Sequence, residues 1–323
     1  MFLIPGFSLS GVGRNPSRAL RAASAMACGH PRLNPAERRR SLAAMGMRRI
    51  RHAHMCPRTR ILLRRDPHLA ILGDVSVPRA PLGIGDLPAR SRSAAAALAS
   101  EMATALCGAL HALYLYGAVT FPESEGAGDL DYHAIMSGPI SDPIRAAYEA
   151  ACDRLASVPG CGDLDGWVIS LDGARGSDPP LHLLHPGLRD KAWALHRAHW
   201  LAGHCVVLHG PNPAGIVLAP TWLEQRAGLE AELMFLRGVP AEHNAYAVLN
   251  ACRILRSLEE RSVVQSKFGS AAWALEHLPA ELGQAIGAAL NAYRGTTTAI
   301  DTKVLATARP RIEALVIESF SRL

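Results

Sequence analysis

Lysine is almost missing from this chain, aromatic residues are scarce, and no apolar run is long enough to cross a membrane. Only three of the 34 basic residues are lysines, and aromatic residues make up 5% of the 323 positions. Hydrophobic residues nevertheless make up 49% and charged residues 19%, which supplies material for a core and excludes wholesale disorder. Glu101 and His111 interrupt the longest apolar stretch, residues 93–119. We therefore predict a helix and a strand there, and no membrane partner.

Closely paired cysteines are also absent. The seven cysteines are odd in number and scattered, and no two of them are spaced as Cys-x-x-Cys. This pattern argues against a disulfide framework and is typical of free thiols in a reducing compartment. We therefore predict a cytoplasmic protein.

The net charge of +6 is divided unevenly along the chain. Residues 1–66 contain 14 arginines against two acidic residues, so this segment carries +12 and the rest carries −6. Such a segment is typical of an organelle transit peptide or of an arm that binds nucleic acid. Because no helical period organises the arginines, we interpret residues 1–70 as a disordered basic extension without function, and nucleic acid is not expected as a partner. Within it, His52, His54 and Cys56 lack a fourth ligand for zinc.

From about residue 90 the hydrophobic pattern predicts alternating helices and strands. The predicted helices span residues 91–110, 142–156 and 188–201, and the predicted strands span residues 112–119, 129–136, 165–171 and 204–208. Everything after Pro220 has helical character. This order predicts an α+β fold, in which a small mixed-sheet domain at residues 90–210 is followed by a C-terminal helical bundle at residues 218–323.

Two aspartates flank one leucine where the second predicted strand begins. On a strand, Asp129 and Asp131 point to the same face, with Cα atoms about 6.5–7 Å apart. Two carboxylates so placed can share a Mg²⁺ ion that also binds phosphate oxygens. Gly117, which ends the preceding predicted strand, would let a triphosphate approach the backbone closely. The alternative for the aspartate pair alone is a solvated strand end.

A third acidic residue opens a later predicted strand. Asp163 and Asp165 precede the apolar run Trp167-Val168-Ile169, and we choose Asp165 because it adjoins the strand. If this strand lies beside strand 129–136, three carboxylates come together. Three acidic residues around two metal ions suit in-line phosphoryl or nucleotidyl transfer. The alternative is a polar turn before a strand.

The order of these elements resembles the DNA-polymerase-beta-like nucleotidyltransferase superfamily: a helix, a strand ending in glycine, a strand carrying Asp-x-Asp, and a third acidic strand. Three C-terminal segments look like the helical domain of the aminoglycoside nucleotidyltransferases, of the streptomycin/spectinomycin adenylyltransferase type. These segments run from Tyr246 to Leu255, from Gln265 to Pro279 and from Ala289 to Gly295. The resemblance covers about residues 95–296. It implies a nucleotidyltransferase domain at residues 90–210 and a helical domain at residues 218–323.

The resemblance also implies roles for individual residues. It makes Asp129 and Asp131 the metal-binding pair, and it makes Asp165 the catalytic carboxylate that accepts the proton of the substrate hydroxyl. The implied nucleotide-binding residues are Gly117, Arg253, Lys267 and Tyr293.

Two departures from the family pattern remove hydroxyl groups. Where relatives have Gly-Ser after the first strand, this chain has Gly117-Ala118, so a hydroxyl that contacts the triphosphate is missing. Gly128 replaces a serine that is common just before Asp-x-Asp. We expect both departures to weaken the binding of the nucleotide and so to lower activity, without changing the fold.

The residues around Lys267 indicate a phosphate contact independently of the resemblance. Ser266 is predicted to cap a helix that continues to Leu278, so Lys267 lies in its first turn. A cation is unfavourable at that end of a helix dipole unless an anion binds beside it. Arg253 falls off the apolar face of a helix that Asn244 is predicted to cap. The alternative for Arg253 is an ordinary solvated arginine.

Together these residues predict transfer of AMP from Mg-ATP to a hydroxyl group of an aminoglycoside-like acceptor, with release of pyrophosphate. The negative charge beyond residue 66 suits a small, cationic acceptor. Glu224, Glu230 and Glu232 could line its cleft or belong to a solvated helix face, and we favour the solvated face for any single one of them. The alternatives are transfer to another small molecule or to a protein hydroxyl, and a nucleotide-binding relative that has lost turnover.

The fourteen histidines do not predict a metal site. His182 with His185, and His196 with His199, have three-residue spacings. No cysteine or carboxylate near them completes a zinc set. We predict that these histidines pack in the core or line a cleft.

Overall fold

The computed structural model describes residues 78–124, 129–161, 164–295 and 302–323. The extension predicted over residues 1–70, together with Gly128 and Asp163, lies outside the described residues. No helix in the described ranges is both long and apolar enough to cross a membrane.

The first part of the chain alternates helices and strands, as predicted. Its helices are α1 (Ala89–Ala105), α2 (Asp142–Leu155), the short α3 (Leu171–Arg175) and α4 (Trp193–Leu201). Its strands are β1 (Leu110–Tyr116), β2 (Leu130–Met136), β3 (Leu164–Ser170) and β4 (Val206–His209). Two helices are shorter than predicted. The first ends before a turn in which Gly108 has φ +76°, and α4 begins at Trp193 rather than at residue 188.

The strands form one four-stranded mixed sheet in the order β3–β2–β1–β4. β1 pairs antiparallel with both β2 and β4, whereas β2 and β3 run parallel. In this register Asp131 lies opposite Tyr116 on one side and opposite Asp165 on the other. The prediction that the third acidic strand neighbours the Asp-x-Asp strand is therefore confirmed.

The two faces of the sheet pack against different helices. Successive residues of a strand point to opposite faces, so Leu130 and Tyr132 join α1 and α2 in one apolar core. Asp131 belongs to the other face, where Trp193 and Trp200 of α4 pack in a second core. α4 therefore covers the face of the sheet that carries the acidic residue.

The second part of the described chain is helical, as predicted. It contains α5 (Trp222–Arg237), α6 (Asn244–Glu259), α7 (Lys267–His277), α8 (Gly283–Arg294) and α9 (Thr302–Arg322). α6 lies at the centre, where Val248, Leu249 and Leu255 are buried among the surrounding helices. Ala192 and Leu195 belong to the same apolar core. The segment around α4 therefore packs against both the sheet and the C-terminal helices.

Of the two predicted helix caps, one is correct. The Ser266 side chain accepts a hydrogen bond from the Gly269 N–H and caps α7. The prediction that Asn244 caps α6 is wrong, because the helix already begins at Asn244 and His243 precedes it. The buried Asn244 side chain instead accepts a hydrogen bond from Arg309 at 3.1 Å, which joins α6 to α9.

Candidate active site

Gly117 and Asp131 meet where β1 ends. Gly117 has φ +80°, a left-handed conformation that glycine adopts without strain. A Cβ atom at position 117 would lie 2.0 Å from Asp131 Oδ2, which is far inside van der Waals contact. The missing side chain at Gly117 therefore makes room for the Asp131 carboxylate.

Three carboxylates line one cavity. Asp131 lies on β2, Asp129 directly precedes that strand, and Asp165 lies opposite Asp131 on β3. The cavity opens to solvent. Carboxylate oxygens are the hard ligands that Mg²⁺ prefers in proteins. This donor set fits a magnesium ion.

All seven residues predicted for the site line this cavity. They are Gly117, Asp129, Asp131, Asp165, Arg253, Lys267 and Tyr293. The sheet and its loops supply the first four, and α6, α7 and α8 supply the last three. The structure therefore brings these seven residues together around one cavity, while the role of each residue stays a prediction.

Lys267 is held between two aromatic rings of the cavity wall. Its Nζ lies 4.8 Å from the ring centres of both Tyr246 and Tyr293, and it donates a hydrogen bond to Tyr293 Oη at 3.1 Å. Burial alone would lower the pKa of Lys267, but Tyr293, Tyr246 and the Asp129 carboxylate outweigh burial and raise the pKa above its usual value. The ammonium group is therefore charged at neutral pH and close enough to Asp129 to interact with it.

Arg253 forms an ion pair inside the cavity. Its Nη2 lies 3.6 Å from Glu232 Oε2 on α5, and both residues line the cavity wall. Arg253 therefore has an acidic partner in the cavity wall, and its role towards phosphate stays a prediction. Of the two interpretations of Glu232, the structure supports the one in which it lines the cleft.

The turn after β1 is joined to the start of α7. Glu123 Oε1 accepts a hydrogen bond from the Ser266 hydroxyl at 2.5 Å. A carboxylate therefore lies beside the N-terminal end of α7, where the helix dipole favours negative charge. The two residues are 143 positions apart, so no local sequence pattern could predict this contact.

A buried aspartate joins two histidines beside the cavity. Asp190 Oδ2 lies 3.0 Å from His133 Nε2 and 2.8 Å from His196 Nδ1. The prediction that His196 has no carboxylate nearby is wrong, because Asp190 lies just ahead of α4 and its carboxylate contacts the His196 ring. The prediction that His196 packs or lines a cleft is confirmed, since it lines the cavity.

The pKa values of His133 and Asp190 are both lowered, for different reasons. Burial is the main cause that lowers the pKa of His133 to about 4. Burial would raise the pKa of Asp190, but His196 and His133 outweigh burial and hold that pKa well below its usual value. The ligand atoms of the three side chains lie within 4.8 Å of one another. His133 Nδ1, however, makes no hydrogen bond among the described residues, whereas a metal-bound imidazole is normally oriented by one.

Comparisons with known proteins agree with this architecture. Residues 226–317 match the family model described as aminoglycoside adenylyltransferase, C-terminal domain. The fold is similar to that in the crystal structure of spectinomycin adenyltransferase AAD(9) from Enterococcus faecialis with ATP and spectinomycin. The TM-score is 0.58 at 12% sequence identity, over 70% of this chain and 98% of that chain. Among curated protein sequences, none matches this chain.

The fold and the C-terminal domain define the chain as a nucleotidyltransferase, as predicted. The match over residues 226–317 agrees with the predicted resemblance: this segment is similar to the C-terminal domain of the aminoglycoside adenylyltransferases.

Proposed function

We propose that this enzyme transfers AMP from Mg-ATP to a hydroxyl group of a small, cationic, aminoglycoside-like acceptor and releases pyrophosphate. One observation carries the proposal. Three carboxylates from the sheet and two cations from the C-terminal helices, Arg253 and Lys267, line the same cavity. Acidic groups for a divalent cation and basic groups for phosphate oxygens are what nucleotidyl transfer requires.

The roles of the residues follow from their charges. Asp129 and Asp131 would hold the magnesium ion, which neutralises charge on the triphosphate when bound. Arg253 and Lys267 bind phosphate oxygens through charge-assisted hydrogen bonds, and Gly117 leaves room for the Asp131 carboxylate. Asp165 accepts the proton of the acceptor hydroxyl. The acceptor oxygen then bonds to the α-phosphorus, and the bond from that phosphorus to the pyrophosphate leaving group breaks.

Support for the acceptor class comes from the cavity and from the structural neighbour. Glu232 adds a fourth carboxylate to the cavity, which then has more carboxylates than the two cations Arg253 and Lys267, and this excess of negative charge favours a cationic ligand. The neighbouring crystal structure contains spectinomycin, which makes spectinomycin the first acceptor to try. Four of the described cysteines, Cys107, Cys161, Cys205 and Cys252, carry free thiols, and this accords with a cytoplasmic enzyme.

The test is a transfer assay with the full chain. ATP labelled in the α-phosphate is incubated with Mg²⁺ and spectinomycin, streptomycin or other hydroxylated amines, and both label transfer and pyrophosphate release are measured. We expect transfer by the parent protein and none by Asp131→Asn at an unchanged melting temperature.

Other outcomes separate the alternatives. Binding of ATP without transfer to any acceptor would favour the relative that has lost turnover, for which the missing hydroxyl at Ala118 is the specific observation. Label that appears on a protein or on another small molecule would change the acceptor and keep the chemistry. Failure to bind ATP would contradict the site itself.

A further inference from the structure

His196 is held in a single orientation by the buried Asp190. Its Nδ1 lies 2.8 Å from Asp190 Oδ2, and Asp190 Oδ1 accepts a hydrogen bond from the Ala192 N–H at 3.1 Å. An ionised carboxylate only accepts hydrogen bonds, so Nδ1 of His196 must carry a proton. In the neutral imidazole the other nitrogen, Nε2, is then a hydrogen-bond acceptor.

The position of His196 brings this acceptor to the cavity. The residue lines the cavity, its side chain is 12% exposed, and Nε2 makes no hydrogen bond to any described residue. Its ring also packs against Tyr116, with the ring centres 4.8 Å apart, and Tyr116 lies opposite Asp131 in the sheet. His196 is therefore an oriented polar group on the wall of the cavity that the carboxylates line.

Asn250 also lines the cavity and carries a second hydrogen-bond acceptor. It is fully buried on α6, and its Nδ2 donates a hydrogen bond to the Tyr246 carbonyl at 3.0 Å. Its Oδ1 is buried without a hydrogen-bond partner among the described residues, although Asn250 lines the cavity. A buried acceptor without a donor is costly. A ligand that donates a hydrogen bond would remove this cost.

We propose that His196 and Asn250 bind the acceptor molecule, each receiving a hydrogen bond from one of its hydroxyl or ammonium groups, and that Asp190 is the positioning residue for His196. This inference rests on the proposed function. A triphosphate offers only acceptor oxygens at neutral pH, so it does not satisfy either group. The ligand class that fits is a small molecule rich in hydrogen-bond donors, such as a hydroxylated amine. The adenine and ribose of ATP also carry donors, and the experiment must separate them from the acceptor.

The experiment compares matched variants of the full chain. His196→Asn keeps a donor to Asp190 and removes the cavity-facing nitrogen, whereas Asn250→Leu keeps the volume and removes Oδ1. Asp190→Asn weakens the orientation of His196, and its melting temperature shows whether it folds. The control is His277→Asn, because His277 bonds through Nδ1 to a carbonyl of its own helix and is exposed at the end of α7. Dissociation constants are measured for a non-hydrolysable ATP analogue and for spectinomycin and streptomycin, together with kcat and KM for transfer.

We expect His196→Asn and Asn250→Leu each to raise the acceptor KM and dissociation constant roughly tenfold, with an unchanged affinity for the ATP analogue and a smaller change in kcat. Asp190→Asn should raise the acceptor KM and dissociation constant as His196→Asn does, and His277→Asn should have the same constants as the parent. If the variants bind the acceptor like the parent while AMP transfer persists, the inference is wrong and the proposed function stands. If acceptor binding depends on His196 but no AMP is transferred, the inference stands and the proposed function is wrong. Loss of affinity for the ATP analogue in the variants, or no binding of either acceptor by the parent, would overturn the inference.

Discussion

The carboxylate of Asp131 occupies the space that a side chain at Gly117 would need. Gly117→Ala should therefore lose activity for two separable reasons. The left-handed backbone strains any L-residue by about 1–2 kcal/mol, and the new Cβ, 2.0 Å from Asp131 Oδ2, would displace a proposed metal ligand. We expect a lower free energy of unfolding in urea and no Mg²⁺-dependent transfer of AMP.

Gly108→Ala is the matched control for this variant. Gly108 also has a positive φ, +76°, but a Cβ atom there would meet no other atom within 4 Å. Its stability should fall by a similar amount while transfer is retained. Equal loss of transfer in both variants would show that backbone strain, rather than the collision with Asp131, is responsible.

Lys267→Ala should weaken the binding of ATP and also destabilise the protein. Loss of a charge-assisted contact to the triphosphate costs about 1.5–3 kcal/mol, or about one to two decades in affinity. The helix dipole alone would make removal of this cation neutral or favourable. The contacts of Lys267 with Tyr246 and Tyr293 reverse this expectation, because a cation over an aromatic ring contributes about 0.5–2 kcal/mol.

The control for Lys267 is Lys191→Ala, since Lys191 is exposed before α4 and does not line the cavity. It should bind ATP like the parent and melt at the same temperature. Calorimetric titration with ATP and thermal melting of both variants decide the matter. A Lys267→Ala protein with parental ATP affinity would mean that this lysine is purely structural.

Arg197→Leu should destabilise the protein without involving the nucleotide. The Arg197 side chain is fully buried and lies 2.6 Å from Glu224, which is 28% exposed. It also donates hydrogen bonds to the carbonyls of Leu218 and Ser177. Breaking a buried ion pair costs about 3–5 kcal/mol, and because the orphaned Glu224 can reach water we expect about 2–4 kcal/mol. Urea unfolding measures the loss, and Glu224→Gln should lose less because Arg197 keeps both carbonyl partners.

Acidification should destabilise the fold well before the carboxylates titrate. Burial is the main cause that lowers the pKa of His182 to about 4 and that of His199 to about 3. Between those values and the unfolded pKa of about 6.5, the unfolded chain binds more protons than the native protein. The free energy of unfolding should therefore decrease as pH falls from about 7 to about 4. Urea midpoints at several pH values check this slope, and midpoints that stay constant down to pH 5 would contradict it.

Much of the architecture could be predicted because the relevant signals are local. A continuous apolar run identified β1, and Ser266 identified the start of α7. The adjacency of β2 and β3 was harder, but a short acidic segment before a third apolar run was enough to anticipate that Asp165 would lie beside Asp131. The helix boundary at Ala105 was missed because Leu106, Ala109 and Leu110 continue the apolar pattern beyond the end of the helix.

The histidine cluster and the loop contact could not be predicted, for a physical reason. His133 lies inside a buried strand and Asp190 lies 57 residues later, so only the packing of α4 on the sheet brings them together. The contact of Glu123 with Ser266 likewise depends on tertiary packing. The sequence contained one signal for the hydrogen bond between Asp190 and His196, because Asp190 lies just ahead of the helix that carries His196. This signal can be recognised only when the structure of the turn between the two residues is known.

The three aspartates of the cavity lie before residue 166, whereas Arg253 and Lys267 lie after residue 252, and Glu232 is the one cavity carboxylate between these two stretches in the part of the chain that the structure describes. Under the proposed function, retention of the nucleotide and reaction of the nucleotide are therefore separable properties. A chain that keeps Arg253 and Lys267 but loses Asp131 would bind ATP without transferring AMP. A chain that keeps Asp131 but loses Arg253 and Lys267 would retain the metal site and bind ATP poorly. Sequence similarity that is confined to the C-terminal helices therefore indicates nucleotide binding only. Whether such a chain is also a catalyst depends on the carboxylates of its strands.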